Sequence, residues 1–138
     1  MTPQQILLVR STWEQVAGQP ESAAVLFYGR LFELDPALRS LFRGDMTEQG
    51  RKLMTIIGMA VGGLGRLESL VPAIEDLGRR HAGYGVKDRD YDTVGAALLW
   101  TLATGLSDAF TPEAQDAWAT VYGVLAETMK GAVRAGVA

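Results

Sequence analysis

The sequence predicts an all-α protein, on three observations. Apolar residues recur at helical spacing nearly throughout, no strand-like alternation runs for a useful length, and cap and proline signals cut the chain into about seven segments. The 138 residues suit one domain, spanning 1–138, with a sizeable core. Segments of such unequal length do not fit a four-helix bundle.

Thr2-Pro3 is a cap followed by a first-turn proline, and Ile6, Val9, Trp13 and Val16 then mark one helical face. A second helix starts after Gln19-Pro20 and runs through "ESAAVLFYGRLFEL". Asp35-Pro36 stops it and caps a short helix, "PALRSLF", that ends at Phe42. The loop "RGDM" follows. From about Thr47 a long helix carries Gln49, Leu53, Ile56, Ile57, Ala60 and Leu64 on one side, and glycines 62, 63 and 65 fray its end. The next helix, about Leu67 to Gly83, puts Leu70, Ile74, Leu77, Gly78 and His81 on a common face. Asp90 onward gives Tyr91, Val94, Leu98, Leu99, Leu102 and Leu106 at i, i+3, i+4, i+7 spacing. Thr111-Pro112-Glu113 starts the last helix, whose inner stripe is Ala117, Trp118, Val121, Tyr122, Leu125 and Met129.

Composition narrows the function classes. The chain is 48% apolar and 21% charged, an ordinary globular balance. A net charge of −3 gives no electrostatic case for nucleic acid or an anionic membrane as partner. Cysteine is absent, which removes disulfides, thiolate metal sites and cysteine nucleophiles. The N-terminus lacks the basic region and unbroken apolar run of a signal peptide. The longest apolar stretch, "TIIGMAVGGLG", is short and broken by glycine. A cytoplasmic location is expected. No serine–histidine–acid set, glycine-rich phosphate loop or carboxylate–histidine metal motif supports an ordinary hydrolase or kinase.

His81 is the only histidine. It shares the apolar stripe of its helix with Leu77 and Ile74, away from the Arg79/Arg80 face, so its ring is expected to point inward. An inward neutral imidazole needs a partner at each nitrogen. The carbonyl of Leu77, one turn back, can accept from Nδ1–H and leave Nε2 as a directed acceptor, the arrangement of a metal-ligating histidine. On pattern alone, a core histidine that merely satisfies its hydrogen bonds is the more ordinary reading.

The motifs "LFELDPALRSLF", "QGRKLM", "LGRRHAGYGVKDRDYDTVGAALL" and "FTPEAQDAWATVYGVLA", in this order and with tryptophans at 13 and 118, resemble a globin over essentially the whole chain. The likeness is greatest to bacterial single-domain globins of the Hell's Gate type; neuroglobin and the globin half of the flavohaemoglobins share the order of motifs. The resemblance implies a haem b cofactor with His81 as proximal ligand and Phe42 packed on the haem face. It places Gln49 where many globins have a distal histidine, Tyr28 across the distal pocket, and Leu53 one turn beyond Gln49. Val86 matches the haem contact after the proximal helix, and Leu77, Tyr91 and Val94 complete the candidate contacts. Lys52 is the candidate for a haem propionate. Ala24 and Gly50 match the small pair that lets the second and distal helices cross closely. Without the resemblance, Tyr28 would be read as a core tyrosine bonded to a carbonyl, Gln49 as an exposed first-turn residue and Lys52 as a solvated charge.

Such a pocket implies reversible binding of diatomic gases: O₂, CO and NO. An O₂ ligand carries partial negative charge, so the Tyr28 hydroxyl and the Gln49 amide would favour it over neutral CO. High affinity and slow release follow. The alternative is nitric oxide dioxygenation, because tyrosine, glutamine and leucine form the flavohaemoglobin distal set. In 138 residues no reductase domain is expected, so that chemistry would draw on a separate reductase. The flavohaemoglobin glutamate that bonds the proximal histidine is matched by Val133, while Tyr91 is retained; the expected consequence is a less electron-donating His81. The protein is expected to be a monomer, with a dimer as the other state considered.

Overall fold

The computed structural model describes residues 1–42 and 44–137, without the side chains of 135–137. Arg43, in the predicted "RGDM" loop, lies outside the described residues. The helices are α1 (Pro3–Ala17), α2 (Pro20–Leu34), α3 (Met46–Gly62), α4 (Leu67–Gly83), α5 (Asp88–Leu106) and α6 (Pro112–Val137). Short 3-10 segments occupy Pro36–Leu41, Leu64–Arg66 and Ser107–Ala109. With Pro36–Leu41 counted as the short third helix, the expected seven are present, and no strand occurs among the described residues.

Local chemistry sets most boundaries. Thr2 accepts from the Gln5 amide while the Gln5 side chain accepts from Thr2 N–H, a reciprocal cap on α1. Asp35 ends α2 and caps the 3-10 segment by accepting from Ala37 N–H at 3.1 Å. Asp45 accepts from Thr47 N–H at 2.9 Å, so α3 begins at Met46, one residue before the expected start. The start of α5 also moves, from the expected Asp90 to Asp88. Asp90 Oδ2 accepts from Lys87 N–H at 2.8 Å, so this buried acid works inside the first turn rather than ahead of it. At the far end of α3, the Arg10 guanidinium donates to the carbonyls of Val61 and Gly62 at 3.3 and 3.2 Å, closing a helix end rich in glycine.

The larger core gathers Val9, Trp13, Phe27, Leu31, Leu98, Leu102 and Trp118 from α1, α2, α5 and α6. Trp118 Nε1–H donates to Thr12 Oγ at 2.8 Å, and that hydroxyl donates to Leu8 O at 2.7 Å. The buried indole is thereby satisfied. A smaller core of Ile74, Tyr91, Ala126 and Met129 lies under α4. Helix α3 packs on α1 and α2, whereas α4 packs chiefly on α6. Among the described residues α3 and α4 form no substantial contact with each other; they diverge at 54° across the Gly63 break. The gap between α3 and α4, which carry Gln49 and His81, is the candidate cleft. Ile56, expected on the inner stripe of α3, is 42% exposed.

Candidate functional site

One wall of the cleft is α4. His81 sits in its last turn with Nδ1 2.8 Å from Leu77 O. A carbonyl can only accept, so Nδ1 carries the proton and Nε2 is left with its lone pair. Burial lowers the imidazole pKa from its ordinary value; the Leu77 carbonyl raises it and the Arg80 charge lowers it further, with burial the largest influence. The ring is therefore held neutral, the form that can ligate. The His81 carbonyl accepts from Tyr84 N–H at 3.1 Å and Val86 N–H at 3.0 Å. That turn is possible because Gly85 adopts φ 98°, which strains any side chain. It leaves Val86 partly buried against the same small cluster that Leu77 packs on.

The opposite wall comes from α2 and α3. Tyr28 is buried on α2, edge-on to Phe27 at 5.1 Å and to Phe42 at 5.2 Å and stacked on Phe32 at 6.0 Å. Its hydroxyl donates to the backbone carbonyl of Gln49 at 3.4 Å. Burial pushes the phenol pKa up to about 12, so it stays a donor throughout the physiological range. Gln49 is half-buried in the first turn of α3, with Leu53 one turn further on the same face. The crossing that brings them to Tyr28 depends on Gly50. A Cβ there would lie 2.8 Å from Ala24 Cβ, closer than real side chains approach, so the expected small pair is present.

The remaining candidates fall around these walls. Phe42 follows the 3-10 segment, half-buried against Tyr28 and against Phe32 at 5.6 Å. Val94 and Leu77 are partly buried on α5 and α4. Tyr91 is buried, and its carbonyl accepts from the Tyr122 hydroxyl at 2.7 Å. Lys52 is exposed on the outer side of α3. Leu53 also lines a small apolar hollow with Trp13, Phe27, Ile57 and Leu98. Tyr28 does bond a carbonyl, as the plain reading of a core tyrosine expects, but the carbonyl belongs to Gln49. Sequence pattern did not single out Arg10, and it marked Asp90 only as a helix start, not as the acid that accepts from Lys87 N–H.

The residues fit a haem. The His81 imidazole, tied through Nδ1 to Leu77 O at 2.8 Å, would offer Nε2 as a single protein ligand to a haem iron, and among the described residues no group of three His, Cys, Asp or Glu side chains could hold a metal ion. Ile56 and Met59, on the same helix as Gln49 and Leu53, are apolar side chains that protein leaves exposed.

The globin family model matches residues 25–129. The chain is a globin. Neuroglobin of Danio rerio is 33% identical over 88% of this chain and 86% of its own length. Neuroglobin of Tetraodon nigroviridis is 32% identical over the same shares. A solved structure described as a hexacoordinated heme protein from an anhydrobiotic tardigrade superposes with a TM-score of 0.87. It covers 97% of this chain and 96% of its own at 19% identity, a likeness of fold. Globin family proteins bind haem and, through it, diatomic gases. In this globin no single helix among the described residues is long and apolar enough to cross a membrane.

Proposed function

We propose that this globin, as one domain over residues 1–138, binds haem b and holds O₂ reversibly, with high affinity and slow release. The observation that carries the reading is the His81 ring anchored through Nδ1 to Leu77 O at 2.8 Å, which leaves Nε2 to ligate. Haem iron, when bound, supplies the position at which the gas binds. His81 is the proximal ligand, and Phe42, Leu77, Val86, Tyr91 and Val94 form the haem's apolar surround. Without cysteine there is no thioether attachment, so the haem is held non-covalently. With one histidine, the distal side offers no second imidazole.

Tyr28 and Gln49 do the selecting. The Tyr28 bond to the Gln49 carbonyl, at 3.4 Å, is near the long limit for a hydrogen bond. The hydroxyl gives up little by turning to a partly negative gas ligand, whose bond would contribute roughly 1.5–3 kcal/mol. The Gln49 amide is the second donor. Leu53, one turn further along α3, is the apolar neighbour of this pair. Nitric oxide oxidation with a separate reductase is the second reading, favoured by the same convergence of Tyr28, Gln49 and Leu53.

The test is the absorption spectrum of purified protein as ferric, ferrous and CO-bound forms, beside His81→Ala. A Soret band that is lost in His81→Ala, or persists only with added imidazole, is expected. An unchanged ferrous spectrum in His81→Ala overturns the assignment of the ligand.

A further inference from the structure

Two helices frame the cleft, and each is docked on the rest of the protein through a glycine that admits no side chain. On the distal side Gly50 rests on the Ala24 methyl group. On the proximal side the contact is tighter. A Cβ at Gly78 would lie 2.5 Å from the carbonyl oxygen of Met129, 2.7 Å from its Cα and 2.9 Å from its carbonyl carbon. All three are backbone atoms of α6, so no rotamer change can make room.

From this we infer that Gly78 is a positioning residue: its backbone-to-backbone seat on Met129 sets where α4 lies, and with it where His81 presents Nε2. The inference rests on the reading of His81 as the haem ligand. Gly78 precedes His81 by less than one helical turn, on a helix that packs chiefly on α6. The imidazole cannot adjust independently, because Nδ1 is tied to Leu77 O at 2.8 Å, and Leu77 is the residue before Gly78. Ile74, buried one turn earlier, packs in the same cluster as Met129 and Tyr91, so α4 is seated at two successive points. A displacement at Gly78 is therefore passed to the ring as a change in the angle and reach of Nε2 rather than absorbed by a side chain. Gly50 does the corresponding work for Gln49, its immediate neighbour, so the two glycines act on opposite faces of the haem.

The experiment compares Gly78→Ala with Gly50→Ala in the full haem-loaded chain. Resonance Raman of the ferrous form reads the iron–histidine stretch, and infrared of the CO form reads the C–O stretch. The expected result is a double dissociation. Gly78→Ala shifts the iron–histidine band and leaves the C–O band nearly in place; Gly50→Ala does the reverse. In a His81→Gly background supplied with free imidazole, the ligand is no longer attached to α4. Adding Gly78→Ala should then leave the iron–imidazole band where it was. An iron–histidine band unmoved by Gly78→Ala overturns the inference, as does a shift that survives in the imidazole-supplied background. If Gly78→Ala does not fold, Gly78→Ala/Ile74→Val gives α4 room to rock on Met129, and the same band is read with the same criteria. Absence of haem from the unmodified protein would instead overturn the haem reading itself, so the two failures are distinguishable.

Discussion

The Tyr28 hydroxyl reaches the main-chain carbonyl of Gln49, not its side chain, across 3.4 Å. Substituting Gln49 therefore leaves this bond in place, and substituting Tyr28 leaves the Gln49 amide in place. Tyr28→Phe keeps the ring in its aromatic cluster and removes only the hydroxyl; Gln49→Leu removes the amide at similar volume. Each should speed O₂ dissociation, by roughly tenfold or more for Tyr28→Phe if its bond has charge-assisted strength. CO dissociation should change much less. Both donors serve one ligand, so the double variant should be non-additive. Stopped-flow O₂ displacement on the four proteins measures this. If both single variants stay within about twofold of the parent, under half a kcal/mol, the tight-binding reading fails.

His81 gives a pH dependence of fixed sign. Its pKa in the folded protein lies below the ordinary 6.5, with burial as the main cause. The unfolded chain therefore takes up the proton first as pH falls. Stability should be constant in this respect above pH 6.5 and should decline from there down to the lowered folded value. Urea midpoints of the haem-free protein across that window should show the decline, and His81→Gln should flatten it. A decline of equal size in His81→Gln would assign the effect to other groups.

Thr12 links α1 to α6 by a side chain that both accepts and donates. Thr12→Val preserves shape but strands the Trp118 Nε1–H, which donates to Thr12 Oγ at 2.8 Å. An orphaned buried donor costs about 1–3 kcal/mol. The thermal or urea midpoint should fall accordingly while the Soret band stays put, since neither residue borders the cleft. Unchanged stability would mean that the indole finds water or another acceptor.

The helices and their inner faces were legible because both depend on spacing. Val9, Trp13 and Val16 on α1, and Leu98, Leu102 and Leu106 on α5, are buried as their periodicity requires. The orientation of His81 toward Leu77 was legible for the same reason. Helix starts moved where an acid caps from inside or just ahead of the first turn, as Asp90 and Asp45 do. The exposure of Ile56 was hidden, because a stripe of apolar residues does not say whether protein or another group will cover it. The seat of Gly78 on Met129 joins residues 51 positions apart, and such a contact leaves no mark on local pattern beyond the glycine itself. The chemistry of the site needed the family likeness. Spacing alone cannot distinguish a buried tyrosine that packs from one that also donates.

Gln49 and His81 stand on the two helices that border the cleft, and only one of them is an imidazole. The unmodified protein should therefore show no bis-imidazole low-spin signal in electron paramagnetic resonance of the ferric form. Gln49→His supplies a second imidazole from the first turn of α3, which on the proposed reading faces the iron from the side away from His81. The backbone carbonyl that receives the Tyr28 hydroxyl is retained, and Gly50 still sits on Ala24, so the helix crossing has no reason to move. The expected outcome is a ferric protein with a bis-imidazole low-spin signal. O₂ and CO should also associate more slowly, because the new ligand must first leave the distal position. The change should reverse when His81 is also replaced, since a single imidazole cannot hold both sides. A Gln49→His protein whose ferric spectrum matches the parent would show that position 49 does not face the haem iron, and the distal assignment of Gln49 would fall with it.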